Sequence, residues 1–249
     1  MFSSAEVMDI AMEQLAIECN CSPTDFGKKE NVITTSVLSN KRRRFIDKPF
    51  FFRMTTMGGN AVISADVCLH EWLAGFVRGK AGHGLFEHTN LREIDKQLES
   101  FGRQLYQTHH MFLPLRDAKP QEATIQVKWV EGDDIHQFYD GKRFPNALCE
   151  KYMPERPDML AVAAMHGLEI MGMAGCSADT QLLWQIGIDV HESYRGKGIG
   201  SQLVSLMRDE IIARGKIPYY GTSLSNIQSQ RIALNCGFCP VWIDTESIE

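Results

Sequence analysis

No run of this 249-residue chain approaches the roughly 18–20 consecutive apolar residues that a bilayer-spanning helix needs. Its start, MFSSAEVMDIAMEQLAIEC, alternates acids with apolar residues and lacks the basic opening of a secretory signal. A cytoplasmic protein without a membrane role is therefore expected. Positive charge is also short: 26 Lys and Arg stand against 31 Asp and Glu, a net charge of −5. That excludes a nucleic-acid binder that relies on phosphate neutralisation. The cysteines form no disulfide framework, being seven in number and irregularly spaced. Cys236-Gly237-Phe238-Cys239 has the spacing of half a zinc or redox site, but no second C-x-x-C and no His-x-His cluster completes it. No metal is expected, and the thiols read as small buried residues, as do those of Cys19 and Cys21.

Hydrophobic content of 44% is ample for a packed core. A break is visible around Leu113–Ala123, where two prolines stand among charged residues. It divides an N-terminal α+β domain, 1–115, from a C-terminal domain, 121–249. In the first, periodicity predicts a helix over Ala5–Cys19 and strands at Val32–Val37, Phe50–Met54 and Ala61–Ala65. The Gly58-Gly59-Asn60 turn joins the last two strands as a hairpin, and further helices are expected at Leu69–Arg78 and Leu91–Tyr106. The run Lys41-Arg42-Arg43-Arg44 reads as a solvated turn, His109-His110 as a packed or exposed pair, and the glycine-containing stretch Arg78–Gly84 as a loop.

The C-terminal half has a clearer order. Strands are expected at Thr124–Val130, Leu160–Met165, Ile170–Cys176, Leu182–Val190, Ile217–Gly221 and Phe238–Ile243. Helices are expected from Asp133-Asp134 towards Tyr139, from Gly200 to Arg214 with Gly215 beyond its end, and over Ser225–Asn235. Between the fourth of these strands and the long helix lies Arg195-Gly196-Lys197-Gly198-Ile199-Gly200. The dinucleotide fingerprint needs glycines at its first, third and sixth positions, and counting from Gly196 the sixth is Ser201. The nucleotide P-loop, G-x-x-x-x-G-K-[ST], fits nowhere. What remains is R-x-x-G-x-G feeding a helix N-terminus. Such a loop is an anion cradle, since glycines let backbone N–H groups converge and the helix adds partial positive charge. Lys197 adds a full charge and Ser201 a hydroxyl, so a pyrophosphate is the natural guest.

This stretch resembles the signature of the GNAT acetyltransferase superfamily, [QR]-x-x-G-x-[GA]. The similarity extends to the strand Trp184–Val190 before it, and to Asn226-x-x-Ser229 and Gly237-Phe238 after it, which resemble N-x-x-A and G-F. It covers about half the chain. It implies an α+β C-terminal domain with a mixed, mostly antiparallel sheet flanked by helices. The N-terminal domain would be a degenerate copy of that fold or an unrelated cap that shapes the acceptor pocket.

The resemblance further implies an acyltransferase that moves acetyl from acetyl-CoA, its co-substrate, directly to a primary amine. Arg195, Gly196, Lys197, Gly198, Ile199, Gly200 and Ser201 would hold the pyrophosphate, and Ile188 and Asn226 the rest of the cofactor. The Val190 N–H, exposed where the strands splay apart, would polarise the thioester carbonyl. The partner is a small-molecule or peptide amine rather than a nucleic acid or membrane, and a homodimer is left open. One position departs from the pattern: the tyrosine that many members carry seven residues after the asparagine is Ala233 here. Tyr219, Tyr220 and Cys236 are the replacements to weigh. The fourth strand has no central glutamate, so Asp189 is the nearest candidate base, with a structural role equally open; Glu192, His191 and His166 follow. A non-catalytic acyl-CoA-binding protein is the competing reading.

Overall fold

The computed structural model describes residues 2–116, 123–139 and 142–249. In chain order the main elements are α1 (Ser4–Cys19), β1 (Val32–Thr35), β2 (Phe52–Thr56), β3 (Ala61–Ala65), α2 (His70–Phe76), α3 (His88–Glu99), β4 (Gln104–Leu105) and β5 (His109–Leu113). Then come β6 (Val127–Glu131), β7 (Asp158–His166), β8 (Glu169–Ala178), β9 (Leu183–Val190), α4 (Ile199–Ala213), β10 (Ile217–Ser223), α5 (Ile227–Asn235) and β11 (Cys239–Ile248). Two compact units result, and neither is continuous in sequence: one is built mainly of 112–222 and 226–239, the other of 8–111 and 240–249. The last ten residues, read from sequence as part of the C-terminal domain, group with the N-terminal strands. Most of the proline-containing break, 117–122, lies outside the described residues.

In the N-terminal unit, β1 runs parallel to β3, β3 antiparallel to β2, and β2 antiparallel to β11. Side chains alternate across these strands. Phe52, Met54, Ala61 and Ile63 share one face with Leu69, Leu73, Ile94 and Leu98 in a single apolar cluster. On the other face Arg53 meets Glu18 of α1, whose carboxylate also takes two bonds from Arg43 (Nε 2.8 Å, Nη2 2.7 Å). Arg53 reaches on to Asp244 of β11 at 2.8 Å. The basic run 41–44 is a turn with Lys41 and Arg44 exposed, as expected, but Arg43 departs from it: it is buried at 6% exposure because it neutralises a carboxylate that is itself out of water. The helix expected over 91–106 stops at Glu99. Gly102 takes φ +69°, Arg103 N–H bonds back to Leu98 O, and Leu105 instead pairs with Ser247 as a strand.

In the C-terminal unit, β6, β7, β8 and β9 are successively antiparallel, and β10 joins β9 in parallel. The sheet is mixed and mostly antiparallel, flanked by helices, as expected. The even-numbered side chains Trp184 and Ile186 of β9 pack with Leu203, Val204, Met207 and Ile211 of α4 and with Tyr220 and Phe238. The opposite face carries a second apolar cluster around Ile135, Phe138, Phe144 and Leu148. The segment after Asp133-Asp134 is a 3-10 helix, Gly132–Phe138, rather than an α-helix.

Candidate active site

The glycine loop leaves β9 through a single 3-10 turn, Glu192–Tyr194, and enters α4. Gly196 and Gly198 adopt φ +75° and +79°, a left-handed conformation that side-chain-bearing residues adopt at a cost of about 1–2 kcal/mol. Both point into open space, so the requirement there is backbone conformation and access. Gly200 differs. A Cβ there would lie 3.0 Å from Ile232 Cδ1, 3.6 Å from Val190 Cγ2 and 3.9 Å from Ile188 Cγ1. The start of α4, the end of β9 and α5 therefore converge on one point. The first helical bond of α4 runs from Gln202 N–H to Gly198 O at 3.1 Å. The N–H groups of Ile199, Gly200 and Ser201 thus project from the helix end with no helical acceptor, beside the macrodipole's positive end. Arg195 donates from Nε to Val190 O (3.1 Å), and Lys197 from Nζ to Ser193 O (3.2 Å), bracing the loop.

Strand geometry fixes where the Val190 amide points. His191 donates its N–H to Met171 O on β8, in the register that sets Val190 opposite Gly172. N–H directions alternate along a strand, so those of Asp189 and Gly187 face β8, and those of Val190 and Ile188 face the β10 side. On that side the register with β10 ends at Ile186–Tyr220, although β9 continues to Val190 and β10 to Ser223. Among the described residues none of β10 is in register with 187–190. Val190 N–H therefore points to the side where β9 and β10 are no longer in register, and the Val190 side chain lies 3.6 Å (Cγ2) from where a Cβ on Gly200, at the start of α4, would stand.

Asp189, on the reverse face, is fully engaged. Its carboxylate accepts from Asn146 N–H (2.8 Å), Asn146 Nδ2 (2.6 Å) and Ala147 N–H (2.9 Å). The same loop lies against the backbone of β8 and β9. A Cβ at Gly175 or Gly187 would overlap the carbonyl oxygens of Ala147 and Asn146 respectively. Two glycines and one carboxylate thus build a seat for 144–148, an arrangement the sequence reading did not find. Its only trace in the sequence is the unusual glycine inside each strand.

Asn226 is the N-cap of α5, its Oδ1 accepting from Ser229 N–H at 3.1 Å. Ala233 is wholly buried in the apolar cluster with Tyr220 and Phe238. Of the hydroxyl and thiol candidates, Tyr219 donates to Asp179 and to Gln185 Oε1 on the reverse face. Cys236 donates to Ser201 O at 3.3 Å, and burial raises its thiol. Tyr220 instead faces α5, its hydroxyl 2.7 Å from Ser229 Oγ. His191 contacts Ser193 Oγ, His166 contacts Tyr194 OH, and Glu192 sits 3.9 Å from Arg195. All three lie exposed on the surface.

Residues 126–238 match the acetyltransferase (GNAT) family. Over 96 residues the chain is 32% identical to an acetyltransferase of Pectobacterium atrosepticum, covering 38% of this chain and 62% of that protein. The chain thus spans about three fifths of that relative's length. Among solved structures, a GNAT-family acetyltransferase from Colwellia psychrerythraea aligns over 100% of this chain and 98% of its own, at 11% identity and a TM-score of 0.47. A protein from Salmonella typhimurium, solved with its cofactor acetyl-CoA, aligns over 51% of this chain and 94% of its own, at 14% identity and a TM-score of 0.37. Residues 126–238, a little under half of the chain, are thus similar to the GNAT acetyltransferase family.

Proposed function

We propose that the protein transfers the acetyl group of acetyl-CoA directly to a primary amine within a ternary complex. One observation carries the reading: the open Val190 N–H lies beside a glycine-built helix end whose amides have no helical acceptor. The pyrophosphate of coenzyme A would rest on the amides of 196–201, with Lys197 and Arg195 at its edge. Ile188 and Asn226 would flank the pantetheine arm, which brings the thioester carbonyl to Val190. A single backbone donor aimed at a developing oxyanion typically contributes about 10²–10³ in rate. The acceptor must attack as a neutral amine. Asp189 is assigned to holding the 144–148 loop, so the proton leaves through water towards the exposed strand end at His191 and Glu192.

A non-catalytic acyl-CoA-binding role is the second reading. It is favoured by two observations: the carboxylate nearest Val190 is consumed, and position 233 carries no hydroxyl. Release of free thiol from acetyl-CoA, followed with DTNB against spermidine, tobramycin, lysine and a short peptide with a free N-terminus, separates the two. Sustained turnover with any of them supports transfer. Tight acetyl-CoA binding with no turnover on the panel counts for the second reading.

A further inference from the structure

We propose that Ser229 is the hydrogen-bond donor to the departing coenzyme A thiolate, and that Tyr220 is the residue that positions it. The proposal rests on the acetyl-transfer reading above and adds a catalytic group to it.

Placement is the first argument. Tyr220 occupies the last position at which β10 is in register with β9, at the root of the cleft into which Val190 N–H opens. Ser229 is one helical turn before Ile232, whose side chain meets the same point beside Gly200 as those of Val190 and Ile188. A thioester whose carbonyl sits on Val190 N–H and whose phosphates sit on the amides of 196–201 must present its sulfur to a wall of this cleft. The α5 wall offers Ser229, which is half-buried and so remains reachable.

The second argument is the direction of the hydroxyl protons. Tyr220 is 2% exposed, its ring held among Trp184, Phe238 and α4 side chains, and its hydroxyl lies 2.7 Å from Ser229 Oγ. A phenol is the better donor of the two, so Tyr220 O–H donates and Ser229 Oγ accepts. That leaves the serine proton free to turn into the cleft. The Ser229 backbone N–H is fixed by Asn226 Oδ1, so both ends of the residue are oriented by neighbours.

The chemistry balances without either residue changing its protonation state. The amine nitrogen forms the C–N bond, and the C–S bond breaks as the tetrahedral intermediate collapses. The sulfur takes the electron pair while accepting a hydrogen bond from Ser229. The nitrogen's proton leaves through water towards the strand end, and the thiolate departs as the anion, taking up a proton from solvent. Ser229 thus stabilises charge as it develops, and Tyr220 keeps it aimed.

The test uses the full-length protein, with acetyl-CoA and whichever amine of the panel the unaltered protein turns over. Ser229→Ala should lower kcat about tenfold to a hundredfold, the scale of one donor to developing charge. Its KM for acetyl-CoA and its affinity for CoA by calorimetry should stay within about threefold. Ser229→Thr, which keeps the hydroxyl, should recover most of the loss, and Tyr220→Phe should fall between the two. Alanine is a good helix former, and an unchanged melting temperature checks that the fold survives. Undiminished kcat in Ser229→Ala overturns the proposal and leaves the acetyl-transfer reading standing. So does an equal defect in Ser229→Thr. Absence of turnover by the unaltered protein overturns both.

Discussion

Asp189 shows how a carboxylate at the end of a strand can serve geometry rather than chemistry. Its two oxygens collect three N–H donors from Asn146 and Ala147. The strand's alternation sends its side chain to the face opposite that of Val190. Asp189→Asn replaces one acceptor oxygen with an amide that points hydrogens at hydrogens. The expected result is a loss of stability of about 1–3 kcal/mol, read by urea denaturation. The pH profile of kcat/KM should keep its shape; loss of its acidic limb would restore Asp189 as the base. Sequence could place this carboxylate beside the cleft but could not show which way it faced, because its partners are more than forty positions away. Gly198, by contrast, was legible: only a residue at ease with positive φ can turn a strand end into that helix start.

Among elements, α1 is held by charge as well as by packing. Burial alone would raise the Glu18 carboxyl, but Arg43 and Arg53 outweigh it and hold the group at about 2. A carboxyl depressed in the folded state contributes stability above its unfolded value near 4.5, and that contribution is lost as pH falls towards 2. Urea unfolding followed from pH 6 to pH 2.5 should therefore show a decline that Glu18→Gln makes shallower. The variant itself should be less stable by about 3–5 kcal/mol at neutral pH, because the buried Arg43 and Arg53 lose the carboxylate they share. Sequence periodicity found α1, the β2–β3 hairpin and the α4 boundaries, since each carries its own turn or cap. It misread 91–106, where Leu105 keeps helical spacing but pairs as a strand, and within the 41–44 turn it missed the burial of Arg43, whose partner Glu18 is distant in sequence.

At the scale of the whole molecule, the glycine loop and the strand before it were readable because they are contiguous, from Ile188 to Ser201. The seat of the 144–148 loop was not, because it is assembled from β8, β9 and Asp189 by contacts distant in sequence. Nor was the allotment of β11, which closes the sheet of the unit formed mainly by 8–111. Thr245 lies inside that pairing at 2% exposure, opposite Met54. Thr245→Pro should cost about 3 kcal/mol or more. Hydrogen exchange should report it at Phe52–Thr56, and undisturbed protection there would count against the pairing's importance.

The pairing of Thr56 with Ile243 has a consequence for how the protein is born. The two residues are separated by nearly two hundred positions, and at about 5–20 residues per second the partner of β2 leaves the ribosome some ten to forty seconds later. Throughout that interval β2 presents an unsatisfied edge, while residues 126–238 are made and can begin to fold. The N-terminal sheet, first to be synthesised, is thus among the last parts to be finished, and its exposed edge is where a nascent chain would need shielding.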